Sequence, residues 1–152
     1  MSAPAYAEGF KSQWNETDAG DLPVEGRIPK WLTGTLIRNG PGAWDTEDGN
    51  LKVAHWFDGL AMLHRFSFDN GRVSFGNRFL RSESYDVFMN AKKRGEPREL
   101  GGFTRDPCRA LFGKAMTVYE TMGGDNASVH VHPLDEQVVA MTETPMPVAF
   151  DV

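Results

Sequence analysis

The sequence predicts an all-β fold with a short helical insertion, and three observations predict it. Two runs of alternating apolar residues flank an Asn-Gly pair between residues 60 and 81. A second, weaker pair of alternating runs spans residues 129 to 142. Gly and Pro break the chain repeatedly between these runs, which fits many short strands better than long helices. Short strands around an irregular insertion suit a propeller or a barrel.

The elements follow in order. Residues 1–22 are polar, small and acidic and are read as an N-terminal arm. Pro23 to Trp31 carries two prolines, which hold the backbone extended rather than helical. Gly34 to Asn39 is a short strand candidate that Gly40-Pro41-Gly42 is expected to stop. In the main hairpin, Met62, His64, Phe66 and Phe68 alternate with Leu63, Arg65 and Ser67. After Asp69-Asn70-Gly71, Val73, Phe75 and Phe79 alternate with Ser74, Gly76 and Leu80. Asn and Gly tolerate the positive φ that such turns require. The region 89–107 is polar and rich in charge, Gly and Pro, and residues 108–119 are read as a short amphipathic helix. In the second hairpin, Val129 and Val131 alternate with His130 and His132, Pro133-Leu134-Asp135-Glu136 turns, and Val138 to Thr142 returns.

Composition excludes several classes. The chain has 152 residues, a net charge of −5 and 40% hydrophobic residues, which is globular rather than disordered. An acidic balance with one small basic cluster, Lys92-Lys93-Arg94, argues against nucleic-acid binding. The single cysteine, Cys108, precludes an internal disulfide framework. No signal-peptide pattern opens the chain, and no apolar run approaches the roughly 18 residues of a membrane span. The expectation is a soluble, cytoplasmic protein, or one held peripherally at a membrane surface.

The residues alone give few chemical leads. His130 and His132, two positions apart, share a face on a strand, and two such imidazoles can chelate zinc, copper or iron; a real site needs a third ligand, none stands nearby at motif spacing, and polar side chains on a hairpin are the plainer account of the pair. His55 and His64 sit among aromatics and read as structural. No Gly-x-Ser-x-Gly elbow is present, nor a phosphate loop, since Pro41 removes a backbone donor and no Lys-Ser/Thr follows.

Four stretches in order resemble the N-terminal part of the carotenoid cleavage oxygenase family. They are Gly26-Arg27-Ile28-Pro29-Lys30-Trp31-Leu32-Thr33-Gly34-Thr35-Leu36 with Arg38-Asn39-Gly40-Pro41-Gly42; His55-Trp56-Phe57-Asp58-Gly59 with Met62-Leu63-His64-Arg65-Phe66; Asp106-Pro107-Cys108; and Asp125-Asn126-Ala127-Ser128-Val129 with Thr142-Glu143-Thr144. The resemblance covers nearly all of residues 10–145 and is closest to the branch that holds the animal carotene-cleaving oxygenases and the retinoid isomerase.

That resemblance implies a seven-bladed β-propeller, of which residues 23–152 would be the opening part, with an insertion around 89–119. It implies Fe2+ held by four histidines, with glutamates accepting the outer N–H of three of them. It implies a carotenoid or apocarotenoid polyene and dioxygen as partners, with one double bond cleaved to two carbonyls. Neutral imidazoles suit ferrous iron, and carboxylates on the outer nitrogens fix each ring's tautomer.

In this sequence Glu143 matches such a glutamate, Thr142 a residue beside the open iron position, and Phe57 a tunnel-lining aromatic. On a regular strand Thr142 and Glu143 would face opposite ways. The resemblance gives His130 and His132 no ligand role. It places the first iron histidine beyond Val152, so the chain is expected to lack the metal's ligands and to be inactive alone. It also implies an apolar, membrane-facing patch around 102–119, formed here by Phe103, Cys108, Leu111, Phe112, Met116 and Tyr119. Two other classes stay open: a non-catalytic carotenoid or retinoid binder, and a small β domain binding metal through His130 and His132.

Overall fold

The computed structural model describes residues 4–46, 48–53, 55–94, 98–100 and 124–152. Among these the chain is mostly β with one α-helix. A four-stranded antiparallel sheet has the order β1 (Thr17–Asp21), β5 (Arg72–Phe79), β4 (Leu60–Asp69), β2 (Gly34–Ala43). A three-stranded antiparallel sheet runs β7 (His130–Leu134), β8 (Gln137–Met141), β9 (Val148–Phe150). A short parallel pair joins β3 (Leu51–Val53) to β6 (Arg98–Leu100). All three sheets are open.

The main hairpin forms as its alternation requires. Asn70 (φ 47°) and Gly71 (φ 83°) make a two-residue turn between Asp69 and Arg72. Phe66 faces Phe75 across it, with ring centroids 5.0 Å apart. The second hairpin also forms, but its turn is tighter than expected. Pro133 and Leu134 stay in β7, paired with Val138 and Gln137, and only Asp135 (φ 52°) and Glu136 turn. Proline is tolerated there because β7 is an edge strand, where a missing N–H breaks no ladder bond.

Two further expectations are corrected. Gly40-Pro41-Gly42 does not stop β2; the strand continues to Ala43 through a register shift between Pro41 and Ala43. β2 is also an edge strand, so Pro41 costs it no ladder bond. Gly42 is required because a Cβ there would lie 2.6 Å from that of Met62.

The segment read as an arm is also not free. Gln13 N–H donates to Gly42 O, Thr17 N–H to Asn77 Oδ1, and Asn77 Nδ2 to Asn15 O. Glu16 accepts from Phe79 N–H at 2.7 Å and from Arg81 at 2.6 Å. Thr17–Asp21 then pairs with β5.

The helix α1 (Glu83–Arg94) was not expected, and its residues 89–94 fall in the stretch read as polar and irregular. Residues 108–119 are outside the described residues. Ser82 Oγ accepts from Tyr85 N–H at its first turn, as a helix-capping serine does. Tyr85, Phe88 and Ala91 recur every third residue and pack, with Met89, against Met62, Leu51, Leu60 and Phe79. Trp14 closes this cluster, 5.3 Å from Phe79 and 5.7 Å from Phe88, and Lys92 lies over its ring. Ala61, beside Met62 on β4, points the other way. It joins Leu80, Ala127 and Ala140, with Leu63, Val148 and Phe150 packed around them.

Candidate functional site

The candidate site is built around residues 124–128, a segment without regular structure that bonds to nearly every element near it. Asp125 reaches α1: its carboxylate accepts from Glu83 N–H (2.6 Å), Ser84 N–H (2.9 Å) and Ser84 Oγ (2.6 Å). Partial burial works against its ionisation, but these donors outweigh it and hold the carboxyl below the ordinary range. Asn126 mimics a strand neighbour. Its Oδ1 accepts from Ala61 N–H (2.9 Å) and its Nδ2 donates to Gly59 O (2.8 Å). Ala127, fully buried, accepts through its carbonyl from Asn39 Nδ2 at 2.7 Å. The same amide also reaches His130 O at 3.3 Å. Gly124 O accepts from Thr144 Oγ1 at 2.7 Å.

These bonds join residues that the sequence singled out separately. Phe57 lies on the 3₁₀ turn Trp56–Asp58, directly before the Gly59 carbonyl that Asn126 holds. His55 Nδ1 accepts from Phe57 N–H at 3.3 Å, and the two rings stack at 5.5 Å. Trp44 Nε1 donates to Trp56 O at 2.9 Å. Gly59 has no room for a side chain: a Cβ would lie 2.5 Å from Trp44 Nε1 and 2.7 Å from the Pro41 Cβ. Phe57 is 47% exposed, its ring stacked on His55 and edge-on to Trp56 at 5.5 Å.

Thr142 and Glu143 follow the end of β8 at Met141 and enter a bend. The regular strand assumed for them is absent, and their side chains meet instead of diverging: Thr142 Oγ1 donates to Glu143 Oε2 at 2.7 Å. That bond is the main reason the Glu143 carboxyl is held below its ordinary range, so it remains an exposed carboxylate acceptor. Thr144, next in sequence, ties the bend to Gly124. The segment 124–128 therefore hydrogen-bonds to the Phe57 turn on one side and to the Thr142–Glu143 bend on the other.

Asn39, Asn126 and Thr144 were visible only as letters within longer motifs. Their roles escaped because amide and hydroxyl groups here hold backbone atoms, which leave no side-chain pattern to read.

Elsewhere, His64 stands opposite Arg38 in the β2–β4 register. Burial, then the Arg38 charge, push its pKa down, in keeping with a structural histidine. His130 and His132 lie exposed on β7 with ring centroids 6.1 Å apart. Among the described residues no three His, Cys, Asp or Glu converge to hold a metal ion, and no helix is long and apolar enough to cross a membrane. The stretch Asp106-Pro107-Cys108 and the patch at 102–119 lie outside the described residues.

Comparison with known proteins places this chain in a known family. The model of the retinal pigment epithelial membrane protein family (RPE65) matches residues 10–152, and the chain belongs to that family. Among curated relatives it is 36% identical over 128 residues to the carotenoid isomerooxygenase of Drosophila melanogaster, covering 81% of this chain and 20% of that protein. It is 39% identical over 127 residues to the beta,beta-carotene 15,15'-dioxygenase of Gallus gallus, covering 80% of this chain and 23% of that protein. Among solved structures, a variant of the Synechocystis apocarotenoid oxygenase superposes with a TM-score of 0.73 at 30% identity, covering 96% of this chain and 29% of that one. A cobalt-substituted form of the same oxygenase gives a TM-score of 0.70 at 27% identity, with the same coverage. The chain thus spans about a fifth of the length of the curated relatives it matches.

Proposed function

We propose that this chain forms the opening part of an iron(II)-dependent oxygenase that cleaves one double bond of a carotenoid or apocarotenoid to two carbonyl products. On this reading its open sheets are parts of a seven-bladed propeller. The observation that carries the proposal is the linkage through residues 124–128. It holds an exposed aromatic turn and a carboxylate bend in one neighbourhood, within a chain whose relatives are named for carotene oxygenation.

The described residues do not themselves fit an iron site, since they bring no three ligating side chains together. No chemical step is therefore derived through the metal. What this chain contributes is local. Glu143, kept ionised by Thr142, is suited to accept the outer N–H of a metal-bound imidazole. Phe57 offers an apolar wall to a polyene, and the rigid Gly59–Asn126 bonds fix where that wall stands.

The test uses a complete homologous enzyme that carries this segment. Glu143→Gln keeps size and one acceptor while removing the charge; Glu136→Gln, on the exposed turn of the same hairpin, is the control. Loss of such an outer carboxylate typically costs about 10- to 100-fold in metal affinity or activity. Bound iron, product formation and thermal midpoint are compared. Equal iron and equal turnover in both variants would return Glu143 to a strand-end carboxylate.

A further inference from the structure

We propose that His130, His132 and Met141 form a copper(I)-binding site on the outer face of the β7–β8 hairpin, independent of the iron chemistry proposed above. His130 and His132 are two residues apart on β7 and so project from the same face. Met141 stands directly opposite His130 in the hairpin register, which brings cross-strand side chains on one face within about 5.5 Å at Cβ. Three donors therefore share one patch: two imidazoles and a thioether.

The two rings stand side by side on that face, with centroids 6.1 Å apart and planes 30° from parallel. Rotation about the side-chain bonds of these exposed residues would turn one nitrogen of each toward a common ion. Among the described residues neither ring has a hydrogen-bond partner, and both residues are exposed. Their nitrogens are thus open to an ion without breaking an existing bond.

The donor set selects the metal. Imidazole accepts zinc, copper, iron and nickel alike, but a thioether is soft and favours cuprous copper. Cu+ also takes few ligands in open geometry, so three donors suffice for it, whereas a tetrahedral zinc site would want a fourth.

The experiment titrates the purified chain with Cu+ under anaerobic, reducing conditions against a chromophoric cuprous chelator, and with Zn2+ in parallel. All arms carry Cys108→Ser, so that the one thiol does not compete. The expected result is one Cu+ per chain. His130→Gln and His132→Gln should each weaken Cu+ binding at least about tenfold. Met141→Leu should weaken Cu+ several-fold and leave Zn2+ binding unchanged, and His55→Gln should change neither.

Far-UV circular dichroism of each variant should match the parent, because the two histidines are exposed. X-ray absorption of the copper-loaded parent should show both imidazole and sulfur scattering. The proposal is overturned by failure to bind one equivalent of Cu+, by binding that survives His130→Gln combined with His132→Gln, or by a copper shell of nitrogen and oxygen alone.

Discussion

The four-stranded and three-stranded sheets meet at the same segment, yet they are finished differently. The four-stranded sheet is covered on both faces around Ala61 and Met62. Met62 and Phe79 lie under α1 and Trp14, while Ala61 packs on the other side against Ala127 and Ala140. The three-stranded sheet turns one face inward, through Ala140, Val148 and Phe150. Its other face carries His130, His132, Ala149 and Leu134 into solvent, with Leu134 56% exposed. Stability therefore resides mainly in the first sheet. The groups with chemical potential lie on the second sheet, at its end, or on the turn beside it. Rigid packing in one place positions exposed side chains in the other.

The comparison is sharpened most strongly by truncating the first core. Phe88, 2% exposed between Trp14 and Met62, should cost about 3–5 kcal/mol as Phe88→Ala, read as a fall in the denaturant midpoint. Leu134→Ala, on the outer face of the second sheet, should stay within about 0.5 kcal/mol. Similar losses in the two variants would break the contrast.

Gly59→Ala comes next. Its Cβ would strike Trp44 and Pro41, and overpacking of this kind costs about 1–3 kcal/mol. Because the same residue carries the carbonyl that Asn126 holds, tryptophan fluorescence from Trp44 and Trp56 should shift with the loss.

A smaller effect is expected at Asp125. Asp125→Ala removes the acceptor for three donors at the start of α1, and loss of a cap costs about 0.5–2 kcal/mol. The carboxyl's folded pKa lies below its ordinary value of 3.8. Its stabilisation is therefore present above about pH 4 and fades as pH falls further. The gap between parent and variant should narrow in acid; a gap that widened there would contradict the bonding seen.

The smallest effect belongs to His64. Its folded pKa is pushed below the ordinary 6.5 by burial and by Arg38, so the unfolded chain takes up the proton first as pH falls below that value. Stability should decline with acidification just below pH 6.5 and recover as pH rises. His64→Phe should flatten that slope, and an unchanged slope would place the acid sensitivity elsewhere.

How much of this was legible depends on whether the signal is carried by side chains or by backbone. The Asn70-Gly71 hairpin was readable because alternation and positive φ both leave marks in the sequence. The second hairpin was readable apart from its turn, where Pro133 looked like punctuation and proved to sit on an edge. β1 was not readable: Thr17–Asp21 has no apolar alternation, and pairing with β5 supplies its order. The helix α1 was missed because part of its start is capped by Asp125, which no local pattern announces; the helix expected over 108–119 lies outside the described residues. For the site, Phe57, Thr142 and Glu143 were named through family resemblance. Their connection through Asn126 and Thr144 was invisible, since those side chains bind the carbonyls and amides of distant residues. The strand assumed for Thr142 and Glu143 ended one residue sooner, which changed their geometry from opposed to touching.

The capping of α1 by Asp125 also has a consequence for the order of assembly. The donor at Glu83 and its acceptor are 42 residues apart in sequence. Closing a loop of that size is paid in chain entropy before the contact returns anything. A nascent chain that has emerged only as far as the helix would hold it with Ser82 alone, frayed at its first turn. Arrival of residue 125 would finish the helix and, through Asn126, dock the start of β4 in the same event. Helical amide protection and the closing of the Gly59–Asn126 junction should then appear together in pulsed hydrogen exchange, as one cooperative step rather than two.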